Sequence, residues 1–180
     1  QKTSGADDWV LIIAGWQQEG YDKKLTGLVD TLNLKNKVFI VGPQYGESKL
    51  ALYQSSDAFI LPSFSEGLPT VILESWSFSL PVLMTPQCNL PEGFNTKAAI
   101  RILPTEEGIS TGLEQLFTLS DHELHTMGAK GRSLVQEKFN WRRIGRNMRS
   151  TYQWIISGGS PPDDVLIYSA GQDVDLTSEQ

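Results

Sequence analysis

Five short apolar runs punctuate the chain: WVLIIAG at 9–15, KVFIVG at 37–42, DAFIL at 57–61, LPVLM at 80–84 and AAIRIL at 98–103. Each is too short for a helix, and most end at Gly or Pro, as strands buried on both faces do. Between them lie stretches with helical periodicity. Residues 19–34 place Leu25, Leu28, Val29 and Leu32 on one side, 47–55 carry Leu50, Leu52 and Tyr53, and 69–78 open on Pro69. Strands alternating with helices through short links require a parallel sheet with helices on both faces and right-handed crossovers. Three helices are expected after the last run. Thr105 caps one reaching about residue 119, Ser120 with Glu123 forms a capping box for one reaching about 138, and Asn140 caps one reaching about 156. The text then changes to SGGSPPDD, a linker composition. Residues 1–157 are therefore read as one α/β domain and 158–180 as a mobile tail, with VLIY at 165–168 as its one segment able to pair or dock.

Charge narrows the class of partner. The 180 residues carry 15 Lys and Arg against 21 Asp and Glu, a net charge of −6. Five of the acids (Asp163, Asp164, Asp173, Asp175 and Glu179) fall in a tail without a single Lys or Arg. The body is thus near neutral, which argues against binding nucleic acid through its phosphates. One cysteine, Cys88, excludes an internal disulfide and a thiolate metal cluster, and a reducing, cytoplasmic compartment is expected. No apolar run approaches the roughly 20 residues of a membrane helix. The first residues, QKTSGADD, do not have the form of a signal peptide.

Ligands of a parallel sheet sit beyond the carboxyl ends of its strands. In the first such loop Gly15 and Gly20 have the spacing of a P-loop, but Tyr21 and Asp22 stand where Lys and Ser or Thr are required, so that motif is rejected. There is no G-x-G-x-x-G fingerprint. The third loop is the informative one: LPSFSEGLPTVILE, residues 61–74. Gly67 permits close backbone approach, and the helix opening after it offers free N–H groups and the positive end of its dipole to an anion such as a pyrophosphate. Glu66 and Glu74 flank that helix start, and a carboxylate can accept from vicinal hydroxyls. Spacing alone proves little, because Glu106 and Glu114 repeat it on what reads as an ordinary exposed helix.

The whole string DAFILPS-x-x-EGLP-x-x-x-LE-x-x-x-x-x-x-PV resembles the C-terminal domain of the retaining, nucleotide-sugar-dependent glycosyltransferases of the GT-B fold, the group 1 family with the E-x7-E motif. LIIAG, VFIVG, Pro81-Val82, Pro91-Glu92, the WRRI from Trp141 and Tyr152 fall in family order. The resemblance implies a Rossmann-like domain whose first βα unit, with its phosphate-binding Arg and Lys, is truncated, and an acceptor domain lying elsewhere. It implies that Glu66 contacts the donor sugar as the catalytic carboxylate. The backbone of Gly67, Leu68, Pro69 and Thr70 would cradle sugar and diphosphate, and Glu74 would hold the ribose. Gly15, Gly42 and Pro43 would border the nucleotide. Where the family often has Gly this chain has Pro69, which removes one backbone N–H. The implied reaction transfers a sugar from a nucleoside diphosphate to a hydroxyl of a sugar or lipid-linked acceptor, in polysaccharide or glycoconjugate synthesis. It calls for no cofactor and no metal, and the fragment alone is expected to be inactive. The alternatives are a sugar-nucleotide epimerase of the same fold and a non-catalytic nucleotide-binding module.

The remaining features have ordinary readings. Lys130, Arg132, Lys138, Arg142, Arg143, Arg146 and Arg149 face a single acid, Glu137, across 130–149. Anionic lipid at the inner face of the membrane, or an acceptor phosphate, is the sharper reading of that patch. A helix face meeting another domain is the favoured one. Cys88 is read as a buried or loop thiol, His122 and His125 as solvent-facing, and the tryptophans mostly as core, with Trp16 alone directed to the cleft.

Overall fold

The computed structural model describes residues 5, 8–16 and 20–167. Tyr168 and the acids Asp173, Asp175 and Glu179 lie outside them. The elements alternate as the apolar runs predict: β1 (Leu11–Ala14), α1 (Tyr21–Thr31), β2 (Val38–Gly42), α2 (Gly46–Ser55), β3 (Phe59–Leu61), α3 (Thr70–Ser77), β4 (Val82–Met84), α4 (Pro91–Asn95), β5 (Ala99–Arg101), α5 (Glu106–Thr118), α6 (Asp121–Lys138) and α7 (Trp141–Ser157). Every strand pairing is parallel. The hydrogen bonds divide the strands into two sheets, β1–β2 and β3–β4–β5, rather than the single sheet of five expected from sequence. Trp9, ahead of β1, packs its ring on Phe117 of α5 at 5.4 Å, and Tyr53 of α2 meets Phe59 of β3 at 6.2 Å.

The three-stranded sheet holds the core, and its period-2 alternation assigns each side chain to a face. Phe59, Leu61, Val82, Met84 and Ala99 pack with Ile72 and Trp76 of α3 and Leu134 of α6. Ile60, Leu83 and Ile100 turn the other way, onto Leu113 and Leu116 of α5. Helices thus cover both faces. β1 and β2 are barer: Leu11, Ile12, Phe39 and Val41 are all about two-fifths exposed, and α1 buries no residue. Leu28 and Leu32, which the helical spacing assigns to a core face, are more than half exposed. Of the tryptophans only Trp76 is fully buried; Trp16 and Trp141 are more than four-fifths exposed. That corrects the core reading for Trp141.

The helix ends follow local chemistry. Thr105 Oγ1 accepts from Gly108 N at 3.1 Å, and Asn140 Oδ1 from Arg143 N at 2.9 Å. At Ser120 the reciprocal box is complete: Glu123 N donates to Ser120 Oγ and Ser120 N donates to Glu123 Oε2. The Ser120 hydroxyl also donates to Glu123 Oε2, at 2.7 Å, and that bond first, with the one from Ser120 N second, holds the Glu123 carboxyl below its usual range. α3 ends in a Schellman turn: Leu80 N donates to Ser75 O, Ser79 N to Trp76 O, and Ser79 takes φ 61°. This turn aims the chain into β4. α3 then sets against α6 at two glycines without side chains: an added Cβ at Gly128 would lie 1.8 Å from Ser79 O, and one at Gly131 would lie 2.2 Å from Trp76 Cδ1. No described helix is long and apolar enough to cross a membrane.

Candidate functional site

The loop after β3 is fixed from one side by the loop after β4. Glu66 N donates to Gln87 O at 3.0 Å, and Asn89 Nδ2 donates to Glu66 O at 2.6 Å. Thr85 Oγ1 donates to Ser63 O at 2.6 Å, and the buried Cys88 thiol points at Leu61 O. A 3-10 turn at Pro86–Cys88 and a left-handed Asn89 (φ 54°) present these donors. Sequence reasoning missed Thr85, Asn89 and the role of Cys88. Their signal is faint, a Pro followed by Asn beyond a strand end, and their partners lie 22–27 residues away.

That scaffold leaves the other side of the loop open. Among the described residues, the N–H groups of Gly67, Leu68, Thr70 and Val71 have no acceptor, and the Glu66 carboxylate is bonded to nothing. Pro69 is buried and sits at the N-cap of α3 with extended backbone, one residue earlier than a first-turn proline. Its missing N–H therefore precedes the helix, and Thr70 and Val71 supply the free donors of the first turn. Gly67 and Leu68 are exposed.

Glu74, on the second turn of α3, is held by α2. Its Oε2 accepts from Tyr53 Oη at 2.8 Å and lies 2.6 Å from Lys49 Nζ. Tyr53 is buried, with its ring stacked on Phe78 at 5.4 Å. Burial, and then the adjoining carboxylate, hold its hydroxyl protonated far above the usual tyrosine range, so it is a donor at every ordinary pH. Both acceptor sites of Oε2 are taken, while Oε1 has no partner among the described residues. Oε1 is thus the oxygen of Glu74 that the structure leaves open.

At the carboxyl ends of β1 and β2, Gly15 N donates to Gly42 O at 3.0 Å. Both glycines have positive φ, 149° and 67°, and the strand register shifts there. Pro43 follows, exposed, and Trp16 meets Tyr45 edge-on at 6.5 Å. Tyr45 precedes α2, so residues 45, 49 and 53, spaced by four, run along one side of that helix from the Trp16 cluster to Glu74. The structure thus ties Gly15 to Gly42 and places Glu66 and Gly67–Thr70 in one loop. Glu106 and Glu114, which share the spacing of eight, lie on α5 with no such loop. A groove of about 320 Å³ on α7, lined by Met148, Tyr152 and Asp164 among others, shares no residue with this site.

This arrangement, a bare helix start beside a free carboxylate at the ends of parallel strands, fits the polar and anionic parts of a nucleotide. Comparison with known proteins gives the family. The family described as "Glycosyl transferases group 1" matches residues 2–133, and the chain belongs to it. A putative colanic acid biosynthesis glycosyltransferase, WcaL, of Salmonella typhimurium is 22% identical over 143 residues, which is 75% of this chain and 35% of that protein. Among solved structures, a glycosyltransferase from Rickettsia africae superposes with TM-score 0.73 at 20% identity, over 84% of this chain and 41% of its own. The C-terminal domain of a group 1 family protein (LpcC) from Francisella tularensis gives 0.66 at 19%, over 75% and 72%. The fold is that of the GT-B glycosyltransferases. The chain spans about a third of the length of curated relatives it matches along most of its own length.

Proposed function

We propose that this chain is the donor-binding part of a retaining glycosyltransferase that moves a sugar from a nucleoside diphosphate to a hydroxyl acceptor. Glu66 and Glu74 are the two carboxylates of its E-x7-E motif. The observation that carries the reading is the stitched loop 62–70, with four unbonded N–H groups and a free Glu66 carboxylate at the start of α3. The N–H groups of Gly67, Leu68, Thr70 and Val71 take the diphosphate and stabilise the charge that grows on it as the glycosidic bond breaks. Glu66 holds sugar hydroxyls beside the reacting carbon as it becomes oxocarbenium-like. Glu74 receives the ribose, with Gly15, Gly42 and Pro43 bordering the base. Acceptor recognition belongs to a separate domain, so the 180-residue chain binds donor without transferring it. Synthesis of a polysaccharide or glycoconjugate is the proposed setting, supported by the colanic acid role in the name of the Salmonella relative. The same proposal places the whole protein in the cytoplasm with peripheral contact at the membrane.

A thermal-shift panel of UDP-, GDP- and ADP-sugars tests it. A ligand at 100 times its Kd adds about 2.7 kcal/mol, and a chain of this size gains roughly 2–4 °C per kcal/mol. One nucleotide class should raise Tm by about 5–10 °C, and free monosaccharides should not. No shift with any donor at millimolar concentration overturns the reading.

A further inference from the structure

We infer that Lys49 and Tyr53 are positioning residues that aim Glu74 at the ribose of a bound nucleotide: by occupying Oε2 they present Oε1 alone to its hydroxyls. The inference rests on the nucleotide-binding reading above and adds to it two residues on a different helix. The geometry is specific. A carboxylate on a helix turns freely about its last torsion, and both of its oxygens compete for any ligand. Here Tyr53 Oη at 2.8 Å and Lys49 Nζ at 2.6 Å converge on one oxygen from one side, i and i+4 on α2. The tyrosine is itself immobile, buried at 8% exposure and packed between Phe59 and Phe78. Lys49 and Glu74 remain partly open, at 36% and 38% exposure of their side chains, so the carboxylate is held by the protein yet reachable from solvent. A purely structural ion pair has no need of a second, buried donor on the same oxygen. Fixing the carboxylate before the ligand arrives removes an ordering cost from binding.

α2 has a second consequence. The same side of it carries Tyr45 against Trp16 at the ends of β1 and β2. A ligand reaching from Glu74 toward Gly42 and Pro43 would follow that side of the helix, so Tyr53 affects the nucleoside end of the donor and not the sugar end.

The test is calorimetric titration of the chain with UDP, GDP and ADP and with their 2′,3′-dideoxy forms. Tyr53→Phe keeps the ring stacking and removes only the hydroxyl. It should weaken binding of the preferred ribonucleotide roughly three- to tenfold, the cost of ordering a carboxylate no longer held in advance, and leave the dideoxy form unchanged. Lys49→Met should do the same, and Lys49→Arg should restore most of the affinity. Equal losses for ribo and dideoxy forms would mean a structural role and overturn the inference. So would an unchanged Tyr53→Phe beside a weakened Glu74→Gln. If Glu74→Gln itself leaves every nucleotide bound as before, the ribose reading of Glu74 fails first and takes this inference with it. Near-UV dichroism of Tyr53→Phe checks that the ring has stayed in its packed setting.

Discussion

Replacing Gly128 by alanine sets two effects of known size against each other. Alanine favours a helix interior over glycine by about 0.8–1.0 kcal/mol, so local propensity alone predicts stabilisation of α6. The structure predicts the opposite. The added Cβ would stand 1.8 Å from the carbonyl oxygen of Ser79, and ordinary contact begins at 3.4 Å, so α6 must retreat by about 1.6 Å. The obstacle is backbone in the Schellman turn that ends α3, not a side chain able to rotate aside. Such a retreat loosens Trp76 and Leu134, both buried in the same cluster. A gap of even 0.5–1 Å forfeits a quarter to a half of the dispersion energy of the atoms involved. Overpacking of this kind costs about 1–3 kcal/mol, and a rigid obstacle places it at the upper end. Net of propensity, Gly128→Ala should destabilise by about 2 kcal/mol, or roughly 4–8 °C in Tm. Thermal unfolding followed by circular dichroism reads this directly. A Tm equal to or above that of the parent would refute the claim that α6 braces α3 at Gly128.

Further outcomes follow from other residues. Ser120→Ala should cost about 1 kcal/mol by removing the cap of α6. Glu123, with its carboxyl held below the usual range by Ser120, stabilises the fold above its ordinary value of 4.5. That contribution is lost as pH falls through its lowered folded value, so Glu123→Gln should flatten the acid limb of a Tm–pH curve. Ser79→Gly relieves a left-handed residue and should raise stability by roughly 0.5–1 kcal/mol in urea unfolding. In the intact enzyme, Glu74→Ala should act mainly on donor KM and Glu66→Ala mainly on kcat, with Glu114→Ala silent in steady-state kinetics.

What could be read in the sequence was what is local. The alternation of Phe59, Ile60 and Leu61 between two faces, the caps at Thr105, Ser120 and Asn140, and the Gly67–Thr70 helix start all arise from neighbours within four residues. The short α4 was missed because Pro91 followed by Glu92 and Gly93 reads as loop, while Gly93 in fact lies against Trp76 and Met84, where a Cβ would have no room. The site residues Tyr53, Thr85 and Asn89 were not legible because each acts on a partner 21–23 residues distant. No periodicity reports such a contact. The division of the strands into two sheets was equally hidden, since apolar runs give strand identity and not strand neighbours.

The central claim is a location: the donor binds at the loop after β3 and along α2. Hydrogen–deuterium exchange, with and without the nucleotide-sugar that most raises Tm, tests it most directly. The account predicts protection of residues 63–74 and 42–53, with 130–157 unaffected. Protection confined to the groove on α7, or to α5 around Glu106 and Glu114, would contradict it.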